Sequence, residues 1–275
     1  MTQLTLTQRW KYRRDILVPL APFDPRRMEV ARLDHATAEA FVLAHHYSGR
    51  YPAARFRFGL YQDGALAGVA VFSHPSNDRT LTSVFPGQAS DSTELGRLVL
   101  LDEVPGNAES WFVARCFKAL RAEGIAGVLS FSDPTPRSAP GGDVIHPGHV
   151  GIVYQALNAR YLGLASPRTL YHLVTGEVFN AKTMQKLRAG ERGWRGAVEQ
   201  LRAAGARPYS EGEDRKAWMY EALRDPRIAR TTRHHGNHRY AWALDRAVEK
   251  QLAPGMTYPE PPGGRLAPRW GRRAA

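Results

Sequence analysis

Apolar positions along the chain fall into two kinds of run, and their spacing predicts the elements. Between Asp34 and His46 the residues Ala38, Phe41, Val42 and His45 recur at helical spacing, with Asp34 or Thr37 as cap and Gly49 just beyond the end. Two strand-like runs, Arg57 to Tyr61 and Leu66 to Ser73, flank Gln62-Asp63-Gly64-Ala65, whose Asp-Gly pair marks a tight hairpin. Leu81 to Phe85 reads as a further strand. Glu94 to Asp102 alternates poorly, the pattern of a central strand buried on both faces.

Downstream, Asn107 is placed to cap a helix whose stripe is Phe112, Val113, Cys116, Phe117 and Leu120, ended by Gly124. Gly127 to Ser132 is a short apolar strand, followed by a long Pro/Gly loop from Asp133 to Gly148. Loops of that length inside a compact domain tend to be functional or mobile. Val150 to Tyr161 reads as helical, closed by Gly163; Leu170 to Val174 and Arg239 to Leu244 complete the strands, with a basic, mostly helical insertion over 180–236 between them. This order predicts an α/β fold with a mixed central sheet flanked by helices and a basic helical insertion before the last strand.

Composition narrows the setting. A hydrophobic share of 43% and a charged share of 23% are those of a globular chain, which excludes bulk disorder. The single cysteine, Cys116, cannot close an intrachain disulfide. No apolar run approaches the ~18 residues that span a bilayer, and Arg9, Lys11, Arg13 and Arg14 are not followed by an apolar signal core. A soluble protein of the cytoplasm, with no membrane partner, is expected.

Charge adds a candidate partner. With 38 Lys and Arg against 26 Asp and Glu, the formal charge is +12 and the pI about 10.1, a balance that attracts polyanions. Cations are interleaved with aromatics in Arg9-Trp10-Lys11-Tyr12-Arg13-Arg14, around Lys182 to Trp194, and from Arg227 to Tyr240. Cations neutralise phosphates and aromatic faces stack bases, so the mixture suits nucleic acid better than a membrane surface. Arg13, Arg14, Arg230, Arg233 and Arg239 are the candidate DNA contacts. A solvated Arg-rich surface has the same composition.

Several chemistries lack their spacing here: the Gly-x-x-x-x-Gly-Lys phosphate loop, Gly-x-Gly-x-x-Gly, His-Glu-x-x-His and Gly-x-Ser-x-Gly. What remains is a set at element ends: His45, His46, Tyr47, Asp133 and His149. Two imidazoles and a carboxylate suit a divalent iron or zinc ion, and equally suit general acid–base work. Adjacent His45 and His46 cannot both face one site. The turn from Gly106 to Ser110 enters a helix N-terminus, where backbone N–H groups commonly hold a pyrophosphate. Arg97, on the central strand, is either an ion-pair partner or an anion ligand.

Taken together, the element order and several motifs resemble the GNAT acyltransferase superfamily and, more narrowly, the Mom family of phage DNA-modification proteins. The motifs are His45-His46-Tyr47-Ser48-Gly49, Glu94-Leu95-Gly96-Arg97-Leu98-Val99, Asn107-Ala108-Glu109-Ser110-Trp111-Phe112, Ser130-Phe131-Ser132-Asp133-Pro134, Gly148-His149-Val150-Gly151 running on to Tyr154 and Asn158, and His238-Arg239-Tyr240. The resemblance implies a basic N-terminal extension over 1–29, a GNAT-like catalytic domain over 30–245 that includes the insertion, and a flexible basic tail over 246–275.

Mom-like proteins add a carbamoylmethyl group to adenine N6 in phage DNA, which blocks restriction enzymes, and are linked to acetyl-CoA and iron. The resemblance therefore implies double-stranded DNA as partner, and cofactor contacts at Arg97, Asn107, Ala108 and Ser110. Its active-site region maps to His45 or His46, Tyr47, Asp133 and His149, with the two His, Asp133 and His149 as possible iron ligands. Tyr154 falls where GNAT enzymes keep a tyrosine that protonates a leaving thiolate. One departure stands out: Val104-Pro105-Gly106-Asn107-Ala108 replaces the usual GNAT pyrophosphate loop. An ordinary acetyl-CoA-dependent N-acetyltransferase and a non-catalytic DNA-binding phage protein are the rival readings. An adenine amino group lies inside the duplex, so modification requires an extruded base, stacked on an aromatic such as Tyr47.

Overall fold

The computed structural model describes residues 4–6, 17–19, 22–75, 77, 79–138, 144–146 and 148–260. They divide into two compact units, the larger built from chain on both sides of 165–236 and the smaller being 165–236 itself.

In chain order the larger unit begins with the paired strands β1 (Leu4–Leu6) and β2 (Leu17–Pro19), then β3 (Met28–Arg32), α1 (His35–His45), β4 (Ala54–Gln62) and β5 (Ala65–Ser73). It continues through α2 (Arg79–Val84), β6 (Ser92–Leu100), α3 (Ala108–Ala122), β7 (Gly127–Ser132), the short pair β8 (Arg137–Ser138) and β9 (Val144–His146), α4 (Ile152–Ala156) and β10 (Arg160–Leu164). The smaller unit follows with β11 (Arg168–Leu173), β12 (Val178–Phe179), α5 (Ala181–Ala189), α6 (Trp194–Ala203), α7 (Arg215–Arg224) and β13 (Ala229–His234). The chain then returns to the larger unit as β14 (His238–Ala243) and α8 (Arg246–Gln251).

The larger unit is a seven-stranded mixed sheet in the order β10-β14-β7-β6-β5-β4-β3. The expected central strand, β6, is fourth of the seven, and its parallel pairing with β7 is the one parallel pair of the sheet. That pairing follows from α3, which carries the chain back between them. Asp34 caps α1 by accepting from Thr37 N, and Asp63 and Gly64 take left-handed backbone to close the β4–β5 hairpin. Val69 and Val71 face α1, whereas Ala70 and Phe72 alternate to the opposite face, against the α3 residues Phe112 and Cys116. Leu129 and Ala241 pack with α2 and α8, so helices cover both faces of the sheet.

Four expectations are corrected. Residues 81–84 are helical, with Phe85 just beyond the end: Leu81, Val84 and Phe85 are the buried positions, spaced three and four apart as on one helix face. The helix expected over 150–161 is short, because Gly151 opens it and Asn158 ends it in left-handed backbone; Tyr161 and Gly163 instead belong to β10. The strand near Leu170 pairs with β13 in a separate three-stranded sheet, β12-β11-β13, so the inserted unit starts at 165 rather than 180. Past residue 245 the chain keeps its structure: Val248 and Leu252 are buried, and the Tyr258 hydroxyl donates to Ala159 O at 2.6 Å. Residues 261–275 of the expected tail lie outside the described residues, as do Arg13 and Arg14. Among the described residues no helix is long and apolar enough to cross a membrane.

The smaller unit has its own core, in which Trp218, Met219, Leu187, Leu201 and Phe179 are buried between the three helices and the Tyr171 and Leu173 face of its sheet. Ion pairs run along its surface, with Arg207 held between Glu213 and Glu221.

Candidate active site

The site follows from a break in the sheet. Strands β6 and β7 pair only over Ser92–Glu94 and Gly127–Leu129. Beyond them β6 stays with β5 to Leu100 and β7 stays with β14 to Ser132, so the two part toward their C-terminal ends. The Ser130 hydroxyl, donating to Leu95 O at 2.9 Å, pins the point where they separate. A bulge at Gly96, where Arg97 and Leu95 oppose the adjacent Val71 and Phe72, bends β6 at the same place. A Cβ on Gly96 would come within 2.5 Å of Ser73 Oγ.

Ionisable groups collect at the gap. Glu94 is half-buried, and loss of solvent pushes its carboxyl up to about 7 despite the pull of Arg97. Arg97 is half-buried; burial lowers its pKa, while Tyr47, Glu94 and Tyr154 act on it in the other direction. Its guanidinium donates to Arg50 O at 3.0 Å, which ties the segment after α1 to the central strand. Tyr154 reaches in from α4, and burial raises its phenol pKa against its hydrogen bond with Ser130. The buried Ser132 hydroxyl has no hydrogen-bond partner among the described residues.

Three distant segments meet here. His46 is buried at the end of α1, and its Nδ1 accepts from Ser48 N at 3.1 Å, so the neutral ring carries its proton on Nε2. Tyr47 stacks on His46 with ring centroids 4.2 Å apart and meets His149 edge to face at 6.3 Å. His149 N donates to Asp133 O at 2.8 Å, joining the segment before α4 to the end of β7, and the Asp133 carboxylate accepts from Thr135 N at 2.9 Å. Two glycines make this join possible. Gly148 (φ 75°) passes so close to Pro134 that a Cβ would stand 2.3 Å from its carbonyl oxygen, and a Cβ on Gly151 (φ 69°) would meet the Tyr154 and Tyr240 rings within 3 Å.

The structure thus brings together Tyr47, Asp133, His149, Tyr154, Arg97 and one of the two adjacent imidazoles. His45 is exposed against Phe41, since neighbouring positions at a helix end point apart. No group of three or more His, Cys, Asp and Glu side chains among the described residues is arranged to hold a metal ion, so His45, His46, Asp133 and His149 do not fit an iron centre. At the start of α3, Asn107 is the left-handed N-cap (φ 71°) but makes no side-chain cap bond. Ala108 N donates to Pro105 O at 3.4 Å and the Ser110 hydroxyl to Asn107 O at 3.1 Å. These residues lie past the C-terminal end of β6, the end at which the gap opens. Arg239 is half-buried and donates to Leu162 O, a strand-to-strand contact. Glu94 was missing from the candidates, although it is the one carboxylate of β6 and stands three residues from Arg97 on the same strand.

The sheet is mixed, its central parallel strands part over this cluster, and helices cover both faces, as the sequence led one to expect of an α/β fold. The family model described as the Mom protein family matches residues 27–260, and the chain belongs to that family. It is similar to the "Methylcarbamoylase mom" of Escherichia phage Mu, 25% identical over 178 residues that cover 62% of this chain and 68% of that one. Among solved structures it is similar to an N-acetyltransferase from Staphylococcus aureus, with 9% identity over 79% of this chain and 99% of that one and a TM-score of 0.36. It is also similar to an acetyltransferase from Bacillus subtilis in complex with CoA, with 11% identity over 80% and 99% of the two chains and a TM-score of 0.36.

Proposed function

We propose that the protein is a DNA-modifying transferase that places a carbamoylmethyl-type group on N6 of adenine and so protects phage DNA from restriction. The observation that carries this reading is the convergence of Tyr47, His149 and Asp133 beside Glu94 and Tyr154 where β6 and β7 part. Membership of the Mom family supports it.

Each residue has a task that its surroundings suit. The edge-to-face pair Tyr47 and His149 offers aromatic surface to an extruded purine. The adenine amine is a weak nucleophile because its lone pair is delocalised into the ring, so it must lose a proton as the new bond forms. Glu94, with a pKa near 7, is part ionised at neutral pH and suited to accept that proton. Tyr154 has its pKa raised, so it stays protonated and suited to donate to the departing group. Two groups in one gap tuned to opposite ends of a proton transfer are the mark of an acid–base pair.

The same gap would hold acetyl-CoA. Gly96 to Leu100 turn away from β7, leaving one edge of β6 to an extended amide-bearing arm, and the start of α3 with Asn107, Ala108 and Ser110 lies at its open end. When bound, the cofactor would supply a thioester-activated acyl group; a carbamoylmethyl product would further need a nitrogen donor and a two-electron oxidant. Iron has no matching ligand set among the described residues.

The experiment is expression in a bacterium followed by mass spectrometry of digested DNA nucleosides. A mass-shifted deoxyadenosine is expected with the native chain and none with Glu94→Gln. Unmodified adenine throughout, with the folded native protein present, overturns the reading.

A further inference from the structure

The smaller unit carries a feature that the reaction does not use. Residues 165–236 hold fourteen Lys and Arg against eight Asp and Glu, a formal +6. The acids are largely committed: Glu211 pairs with Arg195, Glu199 with Arg202, Glu213 and Glu221 with Arg207, and Asp225 with Arg227. Asp214 caps α7. Positive charge is left over, and part of it lies on the sheet.

Strands β11 (Arg-Thr-Leu-Tyr-His-Leu) and β13 (Ala-Arg-Thr-Thr-Arg-His) contain no Asp or Glu. In the order β12-β11-β13, β13 is an edge strand. An ordinary edge strand over a core hides every second side chain. Here only the ends, Ala229 and His234, are buried, and Arg230, Thr231, Thr232 and Arg233 are all exposed. The middle of β13 is therefore open on both faces.

Register fixes which way its cations point. Arg230 lies opposite His172, and Arg233 lies opposite Thr169, three residues further along the strand. With a period of two they stand on opposite faces, roughly 10 Å apart along the strand at ~3.4 Å per residue. The His172 Nε2···Thr232 Oγ1 contact of 2.9 Å links the two strands on the Arg230 face. Two cations facing opposite ways cannot both meet one flat anionic surface. They can both meet the two phosphate backbones that wall a groove, and a groove about 12 Å wide admits a two-stranded ribbon.

We propose that the β11–β13 ribbon enters a groove of duplex DNA with the β13 edge leading, Arg230 and Arg233 reaching phosphates on its two walls. This rests on the reading of the protein as a DNA-modifying enzyme and says how the duplex is held. The alternative is that charge merely keeps an exposed edge from pairing with another chain, a role that either sign of charge fulfils.

The test is fluorescence anisotropy of a labelled duplex and a labelled single strand across a salt series. It uses the full chain, Arg230→Glu, Arg233→Glu, and Arg188→Glu on α5 as a charge-matched control, with circular dichroism to establish folding. Each ribbon variant should lower duplex affinity about tenfold at low salt and reduce the slope of log affinity against log salt by about 1. The Arg188 variant should change affinity by less than threefold, and single-strand binding should respond less than duplex binding. Ribbon variants that match the control overturn the proposal and leave the reaction untouched. Equal losses on single and double strands overturn the groove placement. A native chain with no salt-dependent duplex binding removes the proposal together with the reading beneath it.

Discussion

The ring of Tyr47, just past α1, meets the ring of His149, just before α4, edge to face with centroids 6.3 Å apart. The contact joins two segments that share no secondary structure, and it stands beside the gap in the sheet. Such a pair contributes about 1 kcal/mol to stability, so its removal is expected to affect function far more than folding. Tyr47→Ala and His149→Ala should each lower adenine modification at least about tenfold with a melting shift of only a few degrees. Tyr47→Phe, which keeps the ring, should retain most of the activity, as nucleoside mass spectrometry would show.

Glu94 links activity to pH. Modification by the native chain should rise as pH increases through about 7, where the carboxyl ionises, and Glu94→Gln should abolish that dependence along with most activity. Stability should move the other way. The folded-state pKa lies above that of the unfolded chain, so between about 4.5 and 7 the folded state binds more protons, and stability falls as pH rises through that window. Above pH 7, Glu94→Gln should therefore be more stable than the native chain, by about 3 kcal/mol at most at ~1.4 kcal/mol per pH unit. Denaturant titrations at pH 5 and pH 8 measure the difference.

The adjacent imidazoles should behave differently. His46 is buried against Tyr47 and Ser48, whereas His45 is exposed. His46→Ala should reduce modification about tenfold or more, and His45→Ala should leave it within about twofold. Equal losses would show that the burial difference has no bearing on the reaction.

Gly151 has no room for a side chain. Gly151→Ala forces a left-handed backbone on alanine and drives its Cβ into Tyr154 and Tyr240, at an expected cost of about 1–3 kcal/mol. Because Tyr154 must move, modification should fall further than the loss of folded protein accounts for, which thermal melts and nucleoside analysis on the same preparation would separate.

Local signals in the chain determined much of the fold. Asp34 before an apolar stripe, Asp63-Gly64 between two strand-like runs, and the poorly alternating run from Glu94 each specify an element through capping, turn geometry or burial, and α1, the β4–β5 hairpin and central β6 formed accordingly. The strongly basic balance and the ordered motifs from His45 to Tyr240 were also legible. Short segments were harder. Thr82 and Val84 favour a strand, but the burial of Leu81, Val84 and Phe85 on one side made α2.

Only the tertiary structure decided which of these residues share a site. Whether His45 or His46 turns inward depends on where α1 ends against the sheet, and the partner of the Leu170 strand depends on β13, far along the chain. Glu94 acquired its raised pKa because β6 and β7 part beside it and the surrounding protein removes water from the carboxyl. Periodicity and capping act between neighbours, so they can be read along the chain. Desolvation and ring contact arise between segments brought together by folding, and those set the chemistry.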